Sequence, residues 1–304
     1  MTYPGLPGDA SSSPTDTAEP SDPLEVHLPS IRSRRRTVLI ALALLVAAAV
    51  AVYASIRPRT DRVWSPDMAV MPAVRFDGDS VHITGIRNNA YETTERYTVA
   101  HYDRSYDLNE LESVWYLVEP FSGMKGPAHT LVSFGFGGGE YLAISVELRR
   151  EPGEHFSPLK GVLKQYELMY VVADERDVIG LRANYRHDDV YLYPVRATPA
   201  QRRRMFVSML ERADGLRDRP EFYNTLTNTC TTNIVRHVNE IAPRKVPLSY
   251  KVLLPGYSDQ LAYDIGLLDT DLPFAEARAR HHINERALRY ADSPDFSELI
   301  RRPL

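Results

Sequence analysis

The chain has a single cysteine, Cys230, and its surroundings suit nucleophilic chemistry. One thiol cannot close an internal disulfide, so in an exported protein it is either an inert buried residue or a reactive group. Asn228 or Thr229 supplies a helix N-cap, with Cys230 in the first turn behind it. Ile234, Val238 and Ile241 follow at helical spacing, and Pro243 ends the run. Amides without partners and the positive end of the helix dipole should lower the thiol pKa below about 8.5. Those amides are also candidate donors to an oxyanion, with Asn228, Thr229 and Thr231 as the expected oxyanion and substrate-positioning residues.

A base must accompany the thiol. Of the nine histidines, His129 stands on a strand, Ala128–Phe136, which a glycine triplet turns into a second strand over residues 140–148. If the hairpin is centred on Gly138, His129 lies opposite Glu147. Glu147 could then fix the imidazole tautomer as the third catalytic residue beside Cys230 and His129, with Ser145 as the nearby polar substitute. A slip of one residue would remove Glu147 from the site. His237, two turns below Cys230, reads as a solvated or capping residue. His281 and His282 fall on a charged helix spanning about residues 273–290, and His101, His155 and His187 lie in loop-like polar sequence. No histidine, cysteine or carboxylate spacing matches a metal site, and neither metal nor cofactor is expected.

These residues need a scaffold, and 304 residues with 43% hydrophobic content allow one sizeable domain with attachments. Strands are expected at residues 73–76, 80–86, 113–118, 166–173 and 189–196, beside the hairpin. A helix opens at Thr198-Pro199 and should stop at Gly215, and a short one spans about residues 259–266. The fold class is α+β: an antiparallel sheet with packed helices. Residues 67–245 are the expected catalytic domain, and residues 246–304 a helical extension packed on it.

Residues 1–30 are polar and read as disordered. Residues 37–56 carry no charge, Pro or Gly and, at about 1.5 Å per residue, are long enough to cross a bilayer. Four arginines before the span and three after it favour a cytoplasmic N-terminus. Cleavage near Ala49-Val-Ala51 is the competing reading, disfavoured by the long polar leader. The expected location is the inner membrane, single-pass, with the catalytic domain in the periplasm. A net charge of −4 and the lack of a basic stripe argue against nucleic acid as a partner.

Several ordered motifs resemble one family. Ala128-His-Thr-Leu-Val-Ser-Phe134, Ile144-Ser-Val-Glu-Leu-Arg149, Gln165-Tyr-Glu-Leu-Met-Tyr-Val171, Asp174-Glu-Arg-Asp177 and Tyr223-Asn-Thr-Leu-Thr-Asn-Thr-Cys-Thr-Thr232 look like the periplasmic domain of Lnb, the bacterial lipoprotein N-acyltransferase family. The resemblance covers roughly residues 83–238. It implies a circularly permuted papain-like (NlpC-type) thiol fold, with the strand histidine preceding the helix cysteine, and gives His129 and Cys230 the catalytic places. It further implies membrane phospholipid and lipoprotein substrates. The expected function is a cysteine-dependent acyltransferase working through an acyl-thioester on Cys230. The alternatives are a thiol peptidase or amidase of the cell envelope, and a non-catalytic periplasmic binding module.

Overall fold

The structure is a computed structural model that describes residues 31–302; the tail expected over residues 1–30 lies outside the described residues. The first unit is helix α1, Ile31–Ser55, which starts six residues before the expected span. An 18-residue window within Arg34–Ser55 has a mean hydropathy of 2.6, and no residue of that window is buried. The second unit begins at Ile56 and holds the rest of the chain.

The centre of this unit is a sheet. Its strands are β1 (Ala73–Asp77), β2 (Ser80–Arg87), β5 (His101–Asp107), β6 (Leu111–Pro120), β7 (Ala128–Phe136), β8 (Glu140–Arg149), β9 (Glu167–Ala173) and β10 (Tyr191–Pro194), while β3 (Ala90–Tyr91) and β4 (Tyr97–Thr98) make a separate small hairpin. The sheet order is β1-β2-β9-β8-β7-β6-β10, with β5 also on β2. Every pairing is antiparallel except a parallel contact between Arg87 on β2 and Ala173 on β9. The β7–β8 hairpin turns through Gly138, whose φ of 76° suits glycine. It pairs Leu131 with Ser145 and Phe134 with Leu142, the register centred on residue 138.

Helices cover both faces. In chain order they are α2 (Pro158–Val162), α3 (Glu175–Gly180), α4 (Pro199–Asp218), α5 (Cys230–Ile241), α6 (Tyr250–Leu253), α7 (Ser258–Asp264), α8 (Phe274–Arg280), α9 (Asn284–Arg289) and α10 (Phe296–Leu299). Val132, Phe134, Leu142 and Ile144 pack with Phe206 and Met209 of α4 and Ile234 of α5. Leu131, Ala143 and Val171 pack with Val178 of α3, Ala287 of α9 and Phe296 of α10. Every residue of β7 is consequently buried. The architecture is mixed α and β, with a sheet between helices and one apolar N-terminal helix.

Three expectations fail for physical reasons. The helix expected over residues 273–290 is broken into α8 and α9, because β10 captures the intervening backbone: Leu192 N–H donates to His281 O, and Ile283 N–H to Val190 O, both at 2.9 Å. Gly215 does not stop α4, which continues to Asp218. Strand β5 escaped the pattern reading because only Tyr106 in it is buried, so its sequence carries no apolar alternation.

Candidate functional site

Cys230 is the first residue of α5, and its position depends on a reciprocal cap. Thr229 Oγ1 accepts from Thr232 N–H at 3.2 Å, and Thr229 N–H donates to Thr232 Oγ1 at 2.7 Å. Asn228 works behind the cap: its side-chain amide donates to Phe222 O and its oxygen accepts from Asn233, both at 2.8 Å. Thr231 Oγ1 shares a 3.0 Å hydrogen bond with Thr130 Oγ1. The latter contact fastens the start of α5 to the residue next to His129. The side chains of Asn228, Thr229 and Thr231 are therefore occupied in seating the helix. The N–H groups of Thr232 and Asn233 are also taken, by Thr229 Oγ1 and Thr229 O.

His129 lies near the start of the central strand β7, 8% exposed. Glu119 of β6 is its direct partner on one side, and on the other the β7–β8 register brings Glu147 alongside. Its Nε2 is 2.8 Å from Ser145 Oγ and 3.3 Å from Glu147 Oε1, while Ser145 Oγ donates to Glu147 Oε1 at 2.7 Å. Since the serine proton goes to the carboxylate, the serine oxygen accepts from Nε2–H. The neutral ring then keeps its lone pair on Nδ1. Glu147 thus acts on His129 both directly and through Ser145.

Arg182 joins the two carboxylates. It donates to Glu119 Oε2 at 2.6 Å, to Glu147 Oε1 at 2.8 Å and to Val178 O at 2.7 Å. It stands in a single π turn, Leu181–Tyr185, after α3, closed by Arg186 N–H to Leu181 O at 2.9 Å. Arg186 adds a second cation 3.6 Å from Glu119 Oε1. The sequence pattern marks neither arginine: Arg182 interrupts the apolar run Val178-Ile-Gly-Leu181 and Ala183, and Arg186 opens a polar stretch. The available signal was topological: two carboxylates on the strands flanking a buried histidine need a cation between them.

Burial sets the charge states. It pushes the His129 imidazole down to about 3, which the nearby Glu147 does not reverse, so the ring is neutral at neutral pH. Burial also pushes the Glu119 carboxyl up to about 7 against the pull of Arg182 and Arg186. Burial acts upward on Glu147 as well, but His129 and Arg182 outweigh it and hold this carboxyl well below the usual range. The thiol corrects an expectation: burial raises the Cys230 pKa, and hydrogen bonding from Thr130 and Thr231 does not compensate. The resting pair is a neutral thiol and a neutral imidazole, because the helix terminus is shielded from water.

Cys230, His129, Glu147, Arg182 and Thr229 line one cavity of about 360 Å3. Its other walls are mostly apolar, among them Phe121, Val146, Leu181 and Leu254. Tyr223 also lines it, within electrostatic reach of Cys230 and Glu147. His237 is not solvated as expected: it is 1% exposed, with Nε2 2.9 Å from Tyr170 Oη and Nδ1 2.8 Å from Ser208 Oγ. His282 pairs with Asp189 at 2.9 Å on the surface.

Comparison with curated proteins and with solved structures found no match. The family model described as the Lnb N-terminal periplasmic domain matches residues 97–256. That stretch holds β7, β8 and the start of α5, and with them Cys230, His129, Ser145, Glu147 and Arg182. A periplasmic domain of this family behind an apolar N-terminal helix fits a single-pass membrane protein. The match spans more than half of the chain, and the chain belongs to the Lnb N-terminal periplasmic domain family.

Proposed function

We propose that the protein is a cysteine-dependent acyltransferase of the cell envelope, anchored in the inner membrane with its catalytic domain in the periplasm. The observation that carries this reading is one apolar-walled cavity containing both Cys230 and His129, with His129 backed by Ser145, Glu147 and Arg182. The order of a strand histidine before a helix cysteine is read as a permuted papain-like (NlpC-type) arrangement.

In the first half-reaction His129 Nδ1 takes the thiol proton as Cys230 Sγ attacks an ester carbonyl of a glycerolipid. The Cys230 amide, at the start of α5, faces the developing oxyanion, and the Tyr223 hydroxyl is a second donor. The C–O bond breaks, the alcohol leaves with the proton from His129, and the acyl group remains as a thioester. In the second half-reaction an amine attacks the thioester, passes a proton to His129, and departs as an amide while the thiol is restored. A lipoprotein amino terminus is the acceptor that the family resemblance favours. Glu147, reached through Ser145, stabilises the imidazolium formed in each half. A thiol peptidase or amidase would want a groove lined mainly by polar groups, whereas most of the residues lining this cavity are apolar. A non-catalytic binding module would have little use for a charge network behind its histidine.

The test is labelling of the full chain with a lipid-linked acyl probe that captures thiolate nucleophiles. Label is expected on Cys230, lost in Cys230→Ala and strongly reduced in His129→Ala. Labelling that survives Cys230→Ala would overturn the reading.

A further inference from the structure

The mouth of the Cys230 cavity carries apolar side chains that no part of the domain covers among the described residues. Phe156 and Pro158, Thr225, and Leu253 and Leu254 line the cavity from three segments. Around them Phe156, Leu159, Leu163, Leu226, Leu253 and Leu254 are exposed, Leu159 to 67% and Leu226 to 58%. Single exposed leucines are ordinary on a protein surface, but a contiguous group marks an interaction site. The group is contiguous: Thr225 Oγ1 donates to Pro158 O at 2.8 Å, which ties the loop bearing Leu226 to α2 bearing Leu159. The cavity itself connects Phe156 and Pro158 to Leu253 and Leu254.

The first residues of the domain reach the same edge. Arg59 N–H donates to Glu167 Oε1 at 3.2 Å, and Arg62 donates to Gln165 O at 3.3 Å and to Glu167 Oε2 at 2.8 Å. Gln165 N–H in turn donates to Lys160 O of α2, and Glu167 bridges to Phe222, shortly before the Leu226 loop. Ile56, Arg57 and Lys164 line a shallow depression beside them. Ile56 directly follows Ser55, the last residue of the apolar helix. A chain leaving a bilayer would therefore join the domain at the edge where the exposed leucines lie, interleaved with Lys160, Lys164 and Arg57. Apolar side chains that can enter the acyl boundary, with Lys160, Lys164 and Arg57 among them to meet anionic headgroups beside the acidic Glu151, Glu154 and Glu167, suit a lipid surface.

We propose that residues 156–163, 225–226 and 253–254 form a bilayer-docking surface, with the mouth of the Cys230 cavity opening onto an anionic leaflet. Leu159 and Leu226 enter the headgroup and acyl boundary by about 5–10 Å, as amphipathic segments do. A lipid chain then passes into the cavity without crossing bulk water. Docking goes beyond the proposed chemistry and does not depend on it.

The experiment uses the full chain in nanodiscs of phosphatidylcholine and phosphatidylglycerol, with or without brominated acyl chains. Leu159→Trp and Leu226→Trp report on the proposed surface. Glu110→Trp is the control, since Glu110 precedes Leu111, whose partner Phe136 ends β7 at the far side from His129. Trp64 and Trp115 give the background common to all variants. Brominated lipid is expected to quench the added fluorescence at 159 and 226 several-fold more than at 110. The same pattern is expected in the Cys230→Ala background, so failure of the acyl-transfer reading leaves this measurement intact. Equal quenching at all three positions would overturn the proposal. So would shielding at 159 and 226 that appears only when two chains share a disc, because a second copy would then be the occupant.

Discussion

His129 can serve as a base only with its proton on one nitrogen and a stabiliser ready for the imidazolium, and neighbours in the sheet meet both needs. Glu119 is its partner on β6, and Ser145 and Glu147 face it from β8. Arg182 keeps the buried Glu119 and the part-buried Glu147, both beside a neutral ring, from repelling one another. In this arrangement Ser145 is a positioning residue that acts through His129. Ser145→Ala is expected to lower kcat by about 100-fold with little change in KM, because the stabilisation it relays is felt mainly once the ring is charged. Ser145→Thr, which keeps the hydroxyl, should recover part of the rate. Steady-state kinetics with an acyl-ester substrate is the measurement, and an unchanged kcat in Ser145→Ala would remove the relay.

Element α5 delivers the thiol, and its first turn is unusually well fastened. The Thr229–Thr232 cap closes its end, and Thr231–Thr130 attaches it to β7. The rest of the helix is held by Asn233 and His237, both bonded to Tyr170 on β9. Thr229→Ala removes one half of the cap and should cost about 1 kcal/mol of stability. Fraying of the first turn should also slow labelling of Cys230. Denaturant melts and probe-labelling rates would report the two effects separately, and loss of neither would mean that Thr231 and Asn233 hold the turn unaided. The π turn after α3 plays the matching part for the charges, since its wider winding places Arg182 and Arg186 together over Glu119.

Across the whole molecule, stability should follow the buried imidazoles. Burial pushes His129 down to about 3 and His237 down to about 4, whereas an unfolded histidine titrates near 6.5. Below about pH 6.5 the unfolded chain binds protons that the folded one refuses. This contribution is complete above that pH and is lost as pH falls toward 4, at about 1.4 kcal/mol per pH unit for each ring. The Glu119 carboxyl, pushed up to about 7, takes up a proton in the folded state over the same window and offsets about one ring's share. Thermal melts from pH 7.5 to 5 should therefore show a reduced net decline, and His237→Asn should lower the slope by about one ring's share. An identical slope in that variant would show that His237 does not titrate in this window. At the other end of the chain, Arg301 pairs with buried Glu175 and lies over Trp115 and Tyr141, which pins the C-terminal helices to the sheet.

The chain alone determined the apolar helix, the β7–β8 hairpin, whose register it left open to a one-residue slip, the α5 boundary at Cys230, and the family. These are local signals: a run without charge, a glycine turn that sets strand pairing, a hydroxyl cap, and ordered motifs. It could not reveal that Ser145 stands between His129 and Glu147, or that Glu119 and Arg182 complete the network, since these groups meet only through side-chain packing and pairing across the sheet. Nor could it foresee that the long C-terminal helix would break where β10 binds the His281–Ile283 backbone. The thiol's charge state was likewise a tertiary matter, because a helix end lowers a pKa only until burial costs more. Whether Cys230 rests as thiol or thiolate depends on how much water reaches it, and packing around the cavity sets that.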